Sequence, residues 1–361
     1  MGTMDDAGPR RTGRGSRHTI AEALRQRILD GTYPPGSRIP THRALAEEFG
    51  ISSVTLQRAI DRLAEFGLVE ARGSLGTFVP ATVSAAGGVI ALVFHDQPNE
   101  GSWNRFLATL QRSAEALGTE RSLRFRPYFM DHGRATCASA KRLYADAASG
   151  VLAGIAFVCP PWYLDPRLCE LPLPRVVIGG NDDEFTRYRA TTLHFVSATV
   201  RHHLLCGFAA AGRRRLAVLR PSGIWEDHTV EAAAVGLELR PAWNLAFPVD
   251  PVSAVSARTV THLLCSRSAP DRPDCLLIED DNLVPHVTAG IVDAGLLPVD
   301  IALAAHANFP DVTRSAVPCL RYGYDAARLL DLVLTEIPLL AAGQPPRAIE
   351  VVADLRTADA G

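Results

Sequence analysis

Residues 18–79 read HTIAEALRQRILDGTYPPGSRIPTHRALAEEFGISSVTLQRAIDRLAEFGLVEARGSLGTFV, and this stretch decides the fold of the first part of the chain. Ile20, Leu24 and Ile28 recur at four-residue spacing and predict a helix with one apolar stripe. Gly31 ends it, and Pro34-Pro35-Gly36 bars its continuation. After Pro40, Thr41 is placed to cap a short second helix that buries Leu45, Ala46 and Phe49. Gly50 turns the chain, and Ser52 caps a third helix. Leu56, Ala59, Ile60 and Leu63 share one face of that helix; Ser53, Thr55, Gln57, Arg58 and Arg62 share the other. Residues 68–71 and 77–79 read as a hairpin with Arg72-Gly73-Ser74-Leu75-Gly76 at its tip. Three helices followed by a glycine-tipped hairpin make a winged helix-turn-helix, a shape that sets one helix in the DNA major groove.

Three blocks in register carry a family likeness: Pro40-Thr41-His42-Arg43-Ala44-Leu45-Ala46, then Ser52-Ser53-Val54-Thr55 with Ala59 and Leu63, then Gly67-Leu68-Val69 through Arg72-Gly73-Ser74-Leu75-Gly76-Thr77-Phe78-Val79. They resemble the DNA-binding domain of the gluconate-repressor (GntR) family. The resemblance implies that Arg43 contacts DNA at the start of the second helix. Thr41 and His42 flank it at a helix N-terminus that favours phosphate. Ser52, Ser53, Thr55, Gln57 and Arg58 are expected at the groove, where a glutamine can pair bidentately with adenine. Gly76 lets the wing backbone approach the minor groove, with Arg72 near phosphate. Many family members carry arginine at positions like Ser53 and Gln57, so the expected operator differs from theirs.

The chain has 361 residues, enough for two or three domains, with 47% hydrophobic and 21% charged residues and a formal net charge of −2. The charge is unevenly spread. Arg10, Arg11, Arg14 and Arg17 form a basic arm with no acid between Ala7 and Ala21, and Arg14 and Arg17 are the expected phosphate contacts. No apolar run is long enough to span a membrane, and the first residues lack the apolar core of a signal peptide. The seven cysteines, at 137, 159, 169, 206, 265, 275 and 319, form no C-x-x-C pair and no zinc spacing. Reduced thiols in a cytoplasmic protein with no metal and no cofactor are expected.

The expected domains are a basic arm (1–17), the winged helix-turn-helix (18–80), a linker (81–88) around Ser84-Ala85-Ala86-Gly87-Gly88, and an effector domain (89–361). Val89 to Phe94 is a continuous apolar run, the pattern of a strand buried on both faces. From there strands and helices alternate. Helices are predicted near 103–117, 135–148, 196–210, 227–239, 253–265, 283–294 and 323–335. Strands are predicted near 123–130, 155–159, 175–178, 216–219, 275–278, 301–305 and 349–352. The fold class is therefore α/β: a winged helix-turn-helix followed by two lobes built on parallel sheets.

This second half resembles the effector domain of the lactose/galactose-repressor (LacI) family, which shares the fold of periplasmic sugar-binding proteins. The likeness rests on Val89-Ile90-Ala91-Leu92-Val93, Pro174 through Gly180, His203-Leu204-Leu205, Gly212 through Val218, Pro273 through Ile278 with Asp280-Asp281-Asn282, and Tyr324 through Leu330. The order of the two likenesses resembles arabinose-type repressors. It implies a repressor that binds double-stranded operator DNA as a homodimer and responds to a small molecule, by default a sugar, held between the lobes. His95, Asp96, Trp103, Asn181, Asp182, Trp225, Glu226, Asp280, Asp281 and His306 follow strand ends and are the candidate cleft residues. Asp281 matches an acid that related sugar sensors use, whereas the expected arginine after Arg220 and the aspartate before residue 196 are absent. Two other readings stay open. One is a regulator whose cleft is filled by side chains such as Phe195 and Trp225. The other is an enzyme or solute-binding protein, against which stand the absence of G-x-S-x-G, H-E-x-x-H and Walker motifs and the attached winged helix.

Overall fold

The chain is described here as a computed structural model covering residues 20–356, other than 22, 25–26, 29–31, 35, 66–67, 80–87, 96–104, 121–123, 131–136, 159–165, 181–186, 223–226, 249–252 and 269–270. The expected basic arm and most of the expected linker lie outside the described residues.

The N-terminal unit follows its apolar stripes. Helix α1, described at residues 20, 21, 23, 24, 27 and 28, buries Ile20, Leu24 and Ile28. Helix α2 (His42–Phe49) and helix α3 (Ser53–Glu65) pack on it through Leu45, Leu56, Ile60 and Leu63. Arg27 donates to Glu48 at 2.5 Å and to the Tyr33 hydroxyl at 3.1 Å, which ties α1 to α2. Strands β1 (Glu70–Ala71) and β2 (Thr77–Phe78) form the antiparallel wing, joined by a tight helical turn at Gly73–Leu75. Residues 36–39 run alongside β2 through an isolated antiparallel bridge between Arg38 and Phe78: Ile39 N donates to Thr77 O at 3.0 Å and Val79 N to Ser37 O at 2.8 Å.

The rest forms two lobes, each a six-stranded sheet. In lobe 1 all strands are parallel, in the order β13-β7-β6-β5-β3-β4. They are β3 (Val89–Phe94), β4 (Arg124–Phe129), β5 (Leu152–Phe157), β6 (Arg175–Ile178), β7 (Thr191–Val196) and β13 (Ala348–Val352). Its helices are α4 (Arg105–Glu120), α5 (Ala138–Ala148) and α10 (Ala326–Ala341). Every residue of β3 is buried, as a strand covered by helices on both faces requires.

Lobe 2 has the order β14-β12-β11-β10-β8-β9, parallel except for β14. Its strands are β8 (Arg215–Pro221), β9 (Glu238–Phe247), β10 (Cys275–Ile278), β11 (Ala302–Phe309), β12 (Leu320–Asp325) and β14 (Asp354–Arg356). Helices α6 (Ala198–Ala210), α7 (Thr229–Ala234), α8 (Ser256–Cys265) and α9 (Val284–Asp293) complete it. Leu216 to Leu219, Trp243 and Cys275 to Ile278 fill its core.

The chain passes between lobes three times: after β7, from β12 into α10, and between β13 and β14. Ala353 N donates to Val196 O at 3.0 Å, so two of these crossings are joined directly. Asp325 starts α10 by accepting from Ala327 N and Arg328 N.

Three sequence expectations need correction. The helix expected over 227–239 is a six-residue helix followed by the ten-residue strand β9. Pro241 bars a helix there, and Leu239, Trp243 and Phe247 are its buried residues. Residues 191–196 and 320–325 are strands, so the helices expected from 196 and 323 begin later, at Ala198 and Ala326. The short edge strand β14 follows no apolar pattern in the sequence.

Candidate functional site

The winged unit presents its polar residues as expected. The Thr41 hydroxyl caps α2 by accepting from Ala44 N at 3.3 Å, and Gly50 closes the helix in the left-handed conformation. Arg43 lies fully outward on α2, with 89% of its side chain exposed, and donates to Glu47 at 3.0 Å. His42 beside it is partly buried. Ser52 accepts from Thr55 N at 3.3 Å and shares a 2.9 Å bond with the Thr55 hydroxyl, which fixes the first turn of α3. Ser53, Gln57 and Arg58 are exposed on the outer face of α3. Gln57 donates to Asp61 at 2.6 Å, so its amide is held along the helix and must turn away to read a base edge.

The wing holds one residue that the sequence reading missed. Gly76 has φ of +105°, and a Cβ built on it would stand 2.6 Å from Arg38 Nε. Arg38 is exposed and lies beside the wing tip, in the segment that bridges to Phe78 of β2. Its signal was its place between Gly36 and Pro40, which gave no hint that residues 36–39 join the wing. Arg72 pairs with Glu70 and covers the Phe78 ring at 4.7 Å. The surface thus combines a helix N-terminus, outward guanidiniums and exposed amide and hydroxyl groups, the groups that hold phosphate and read base edges. Arg14 and Arg17 lie outside the described residues.

Between the lobes, α4 of lobe 1 faces the strand ends of lobe 2 across a cavity of about 150 Å³. It is lined by Arg105, Thr109 and Arg112 from α4 and by Asp281, Asp311 and Thr313 from lobe 2. Arg112 Nε donates to Asp311 at 2.9 Å, an ion pair that spans the two lobes. Asp281 is 1% exposed and accepts from the Thr313 hydroxyl at 3.4 Å. Burial, helped by the neighbouring Asp280 charge, pushes its carboxyl up to about 6, while Asn308, Arg105 and Thr313 oppose the shift. Buried Arg321 donates to Thr313 O at 2.6 Å and so holds the loop that supplies Thr313.

Of the expected cleft residues, Asp281 lines this cavity. Asp280 instead accepts from Asn282 N and Asn282 Nδ2, both at 2.8 Å, in the turn that leads into α9. His306 packs its ring near Tyr322 and Tyr324, at 5.7 and 5.9 Å, and burial lowers its pKa. His95 lies just past the end of β3, partly buried. Asp96, Trp103, Asn181, Asp182, Trp225 and Glu226 lie outside the described residues. The sequence reading missed Arg105, Arg112, Asp311 and Thr313. Arg105 and Arg112 are seven residues apart, so they recur on one helix face, but their facing partners come from about 200 positions later. An aromatic stack marks the hinge beside the cavity. Phe195 of β7 lies 4.3 Å from Tyr324 of β12, and Phe106 meets Phe195 edge-on at 5.8 Å. Among the described residues no group of histidine, cysteine and carboxylate side chains suits a metal ion. No helix among them is long and apolar enough to cross a membrane.

Residues 16–79 match the model of bacterial regulatory proteins of the gntR family. An uncharacterised HTH-type transcriptional regulator of Mycobacterium tuberculosis is 37% identical over 101 residues, 27% of this chain and 39% of that protein. The mannosyl-D-glycerate transport/metabolism system repressor of Escherichia coli is 40% identical over 60 residues, 17% of this chain and 25% of that protein. The chain therefore spans well under two thirds of either relative. For the lobes, a regulatory protein of LacI family from Chloroflexus aggregans superposes with a TM-score of 0.57 at 18% identity, covering 76% of this chain and 98% of that one. A LacI family transcriptional regulator from Lactobacillus casei with bound glucose gives 0.53 at 16% identity, covering 76% and 100%. At its N-terminus the chain carries a gntR-family helix-turn-helix domain, and the lobes that follow have the fold of LacI-type regulators.

Proposed function

We propose that this protein is a transcriptional repressor that binds operator DNA as a homodimer and changes its operator affinity when a small molecule enters the cleft between the lobes. The observation that carries this reading is the pairing of two surfaces on one chain. One is an exposed α3 face with Ser53, Gln57 and Arg58; the other is an interlobe cavity at the strand ends, lined by paired charges. Closing or opening such a cleft changes how two subunits sit, and so the spacing of two winged helices on a two-fold site. A ligand with unequal affinity for the two states shifts the equilibrium; a coupling of about 1–3 kcal/mol changes DNA affinity roughly 5- to 150-fold.

A sugar is the default ligand class. Asp281, Asp311, Arg105 and Arg112 supply acceptors and donors that suit hydroxyl groups, and the Lactobacillus casei neighbour holds glucose. The volume of about 150 Å³ lies below the roughly 300–1,000 Å³ of usual ligand pockets. Ligand entry therefore requires the Arg112–Asp311 pair to part. The same small volume, with Phe195 stacked on Tyr324 at the hinge, favours a second reading in which the lobes act only as a dimerisation body.

Titration of the full chain with mono- and disaccharides, followed by operator binding at fixed salt, separates these readings. A saturable sugar response that shifts operator affinity, and that is lost in Asp281→Asn, supports the first. Operator binding indifferent to every sugar in the panel supports the second.

A further inference from the structure

Lobe 1 has a second and larger concavity, of about 760 Å³, at the opposite end of its sheet from the cleft. Its walls are the segment leading into β6, the segment leading into β7 and the C-terminal end of α10. In a parallel sheet these strand starts lie at the edge where the chain arrives from the winged helix, at Val89. The volume falls within the range of small-molecule sites.

The chemistry of the walls is one-sided. Arg175, Arg187 and Arg189 all line the cavity, with Glu170 as the carboxylate among its described lining residues. Three guanidiniums against one carboxylate leave two positive charges in excess. Arg175 is anchored: it donates to Tyr188 O at 3.1 Å and to Leu171 O, while its Nε is buried with no partner. Burial pushes its pKa down; the Cys169 thiol opposes this and the Arg189 charge adds to it. Arg189 has φ of +50°, the left-handed region that a non-glycine residue rarely adopts. Arg187 lies over the Tyr188 ring at 5.3 Å, which leaves its fork free for hydrogen bonding. Gln344 adds an amide from the α10 side. Like charges gathered at a strained backbone position cost stability, and such features cluster where a ligand repays them.

We infer that this pocket is a second ligand site, separate from the cleft, and that it takes a small metabolite bearing a phosphate group. A phosphate dianion matches the excess of two positive charges. Its oxygens accept bidentately from planar guanidiniums, and the remaining volume accommodates the body of the molecule beside Tyr188 and Leu340. The inference is independent of what the cleft binds.

The test is calorimetric titration of the full chain with inorganic phosphate, and with citrate for comparison, at constant ionic strength. Saturable phosphate binding is expected in the parent protein and in Asp281→Asn. Arg187→Ala with Arg189→Ala should weaken it about tenfold or more. Both side chains are exposed, so the fold should persist, as circular dichroism will show. Should the double alanine variant unfold, Arg187→Lys with Arg189→Lys keeps the charge but loses the fork, and weakened phosphate binding is again expected. Phosphate binding that is absent, or unchanged in these variants, overturns the inference. Tighter binding of citrate than of phosphate overturns the phosphate class. A loss of non-specific duplex binding in the double variant that equals the loss of phosphate binding assigns the arginines to DNA and also overturns it.

Discussion

At the residue scale, two positions carry tests that separate strain and charge from mere contact. Gly76 holds φ of +105° under the Arg38 guanidinium. The arginine end is flexible and can move aside, so backbone conformation is the main obstacle to a side chain there. Gly76→Ala should destabilise the winged unit by about 1–3 kcal/mol, read by chemical unfolding of the full chain. Asp281 gives a test in pH. Its carboxyl is held up at about 6, so the folded chain keeps a proton that the unfolded chain loses near the ordinary carboxyl value of 3.8. Its contribution to stability therefore falls as pH rises through that window, by up to about 3 kcal/mol. Asp281→Asn should remove that fall, so the variant and parent converge near pH 4 and the variant is the more stable at pH 7. Parallel pH–stability curves for the two proteins would show that Asp281 is not held in this way.

At the scale of elements, α3 is the part whose local chemistry was most legible. Its apolar stripe, its Ser52 start and its polar face all follow from residues within four positions of one another, and the structure buries the stripe, caps the helix with Ser52 and exposes Ser53, Gln57 and Arg58. Ser52→Ala should cost about 1 kcal/mol of stability through the lost cap on Thr55. Gln57→Ala should relax preference at one base pair by about 1–3 kcal/mol, because an amide reads a base edge. Arg43→Ala should weaken binding to all sequences alike and flatten the salt dependence by about one counterion, since an outward arginine at a helix start meets phosphate. The strands of the lobes were less legible. The β9 run spaces its buried residues four apart, as a helix face would; Pro241 argues against a helix, and the ladder to β8 makes the run a strand. Residues 320–325 lacked a clean alternation because β12 is covered on both sides and carries the buried, hydrogen-bonded Arg321.

At the scale of the whole molecule, the two-lobed plan was visible in the alternation of strand and helix. The charge pairing across the cleft was not, because its facing residues come from opposite lobes. Asp281 was found by its likeness to a family position, whereas Arg112 and Asp311 meet only after three crossings between the lobes have brought α4 against the end of β11. That pair is half exposed, so its removal should change global stability by less than about 1 kcal/mol. Arg112→Ala should nevertheless raise hydrogen exchange in α4 and around residues 311–313, because the pair bridges the cleft. Unchanged exchange there would show that the pair does not restrain the lobes.

On the reading proposed above, α3 and the wing read DNA on behalf of the whole chain. Selection of bound duplexes from a random pool by the full-length protein, at low salt and without added ligand, tests it most directly. Enrichment of a two-fold site is expected, with affinity weakened by Arg43→Ala and base preference relaxed at one position per half-site by Gln57→Ala. No enrichment, or enriched sites bound equally well by both variants, would contradict it.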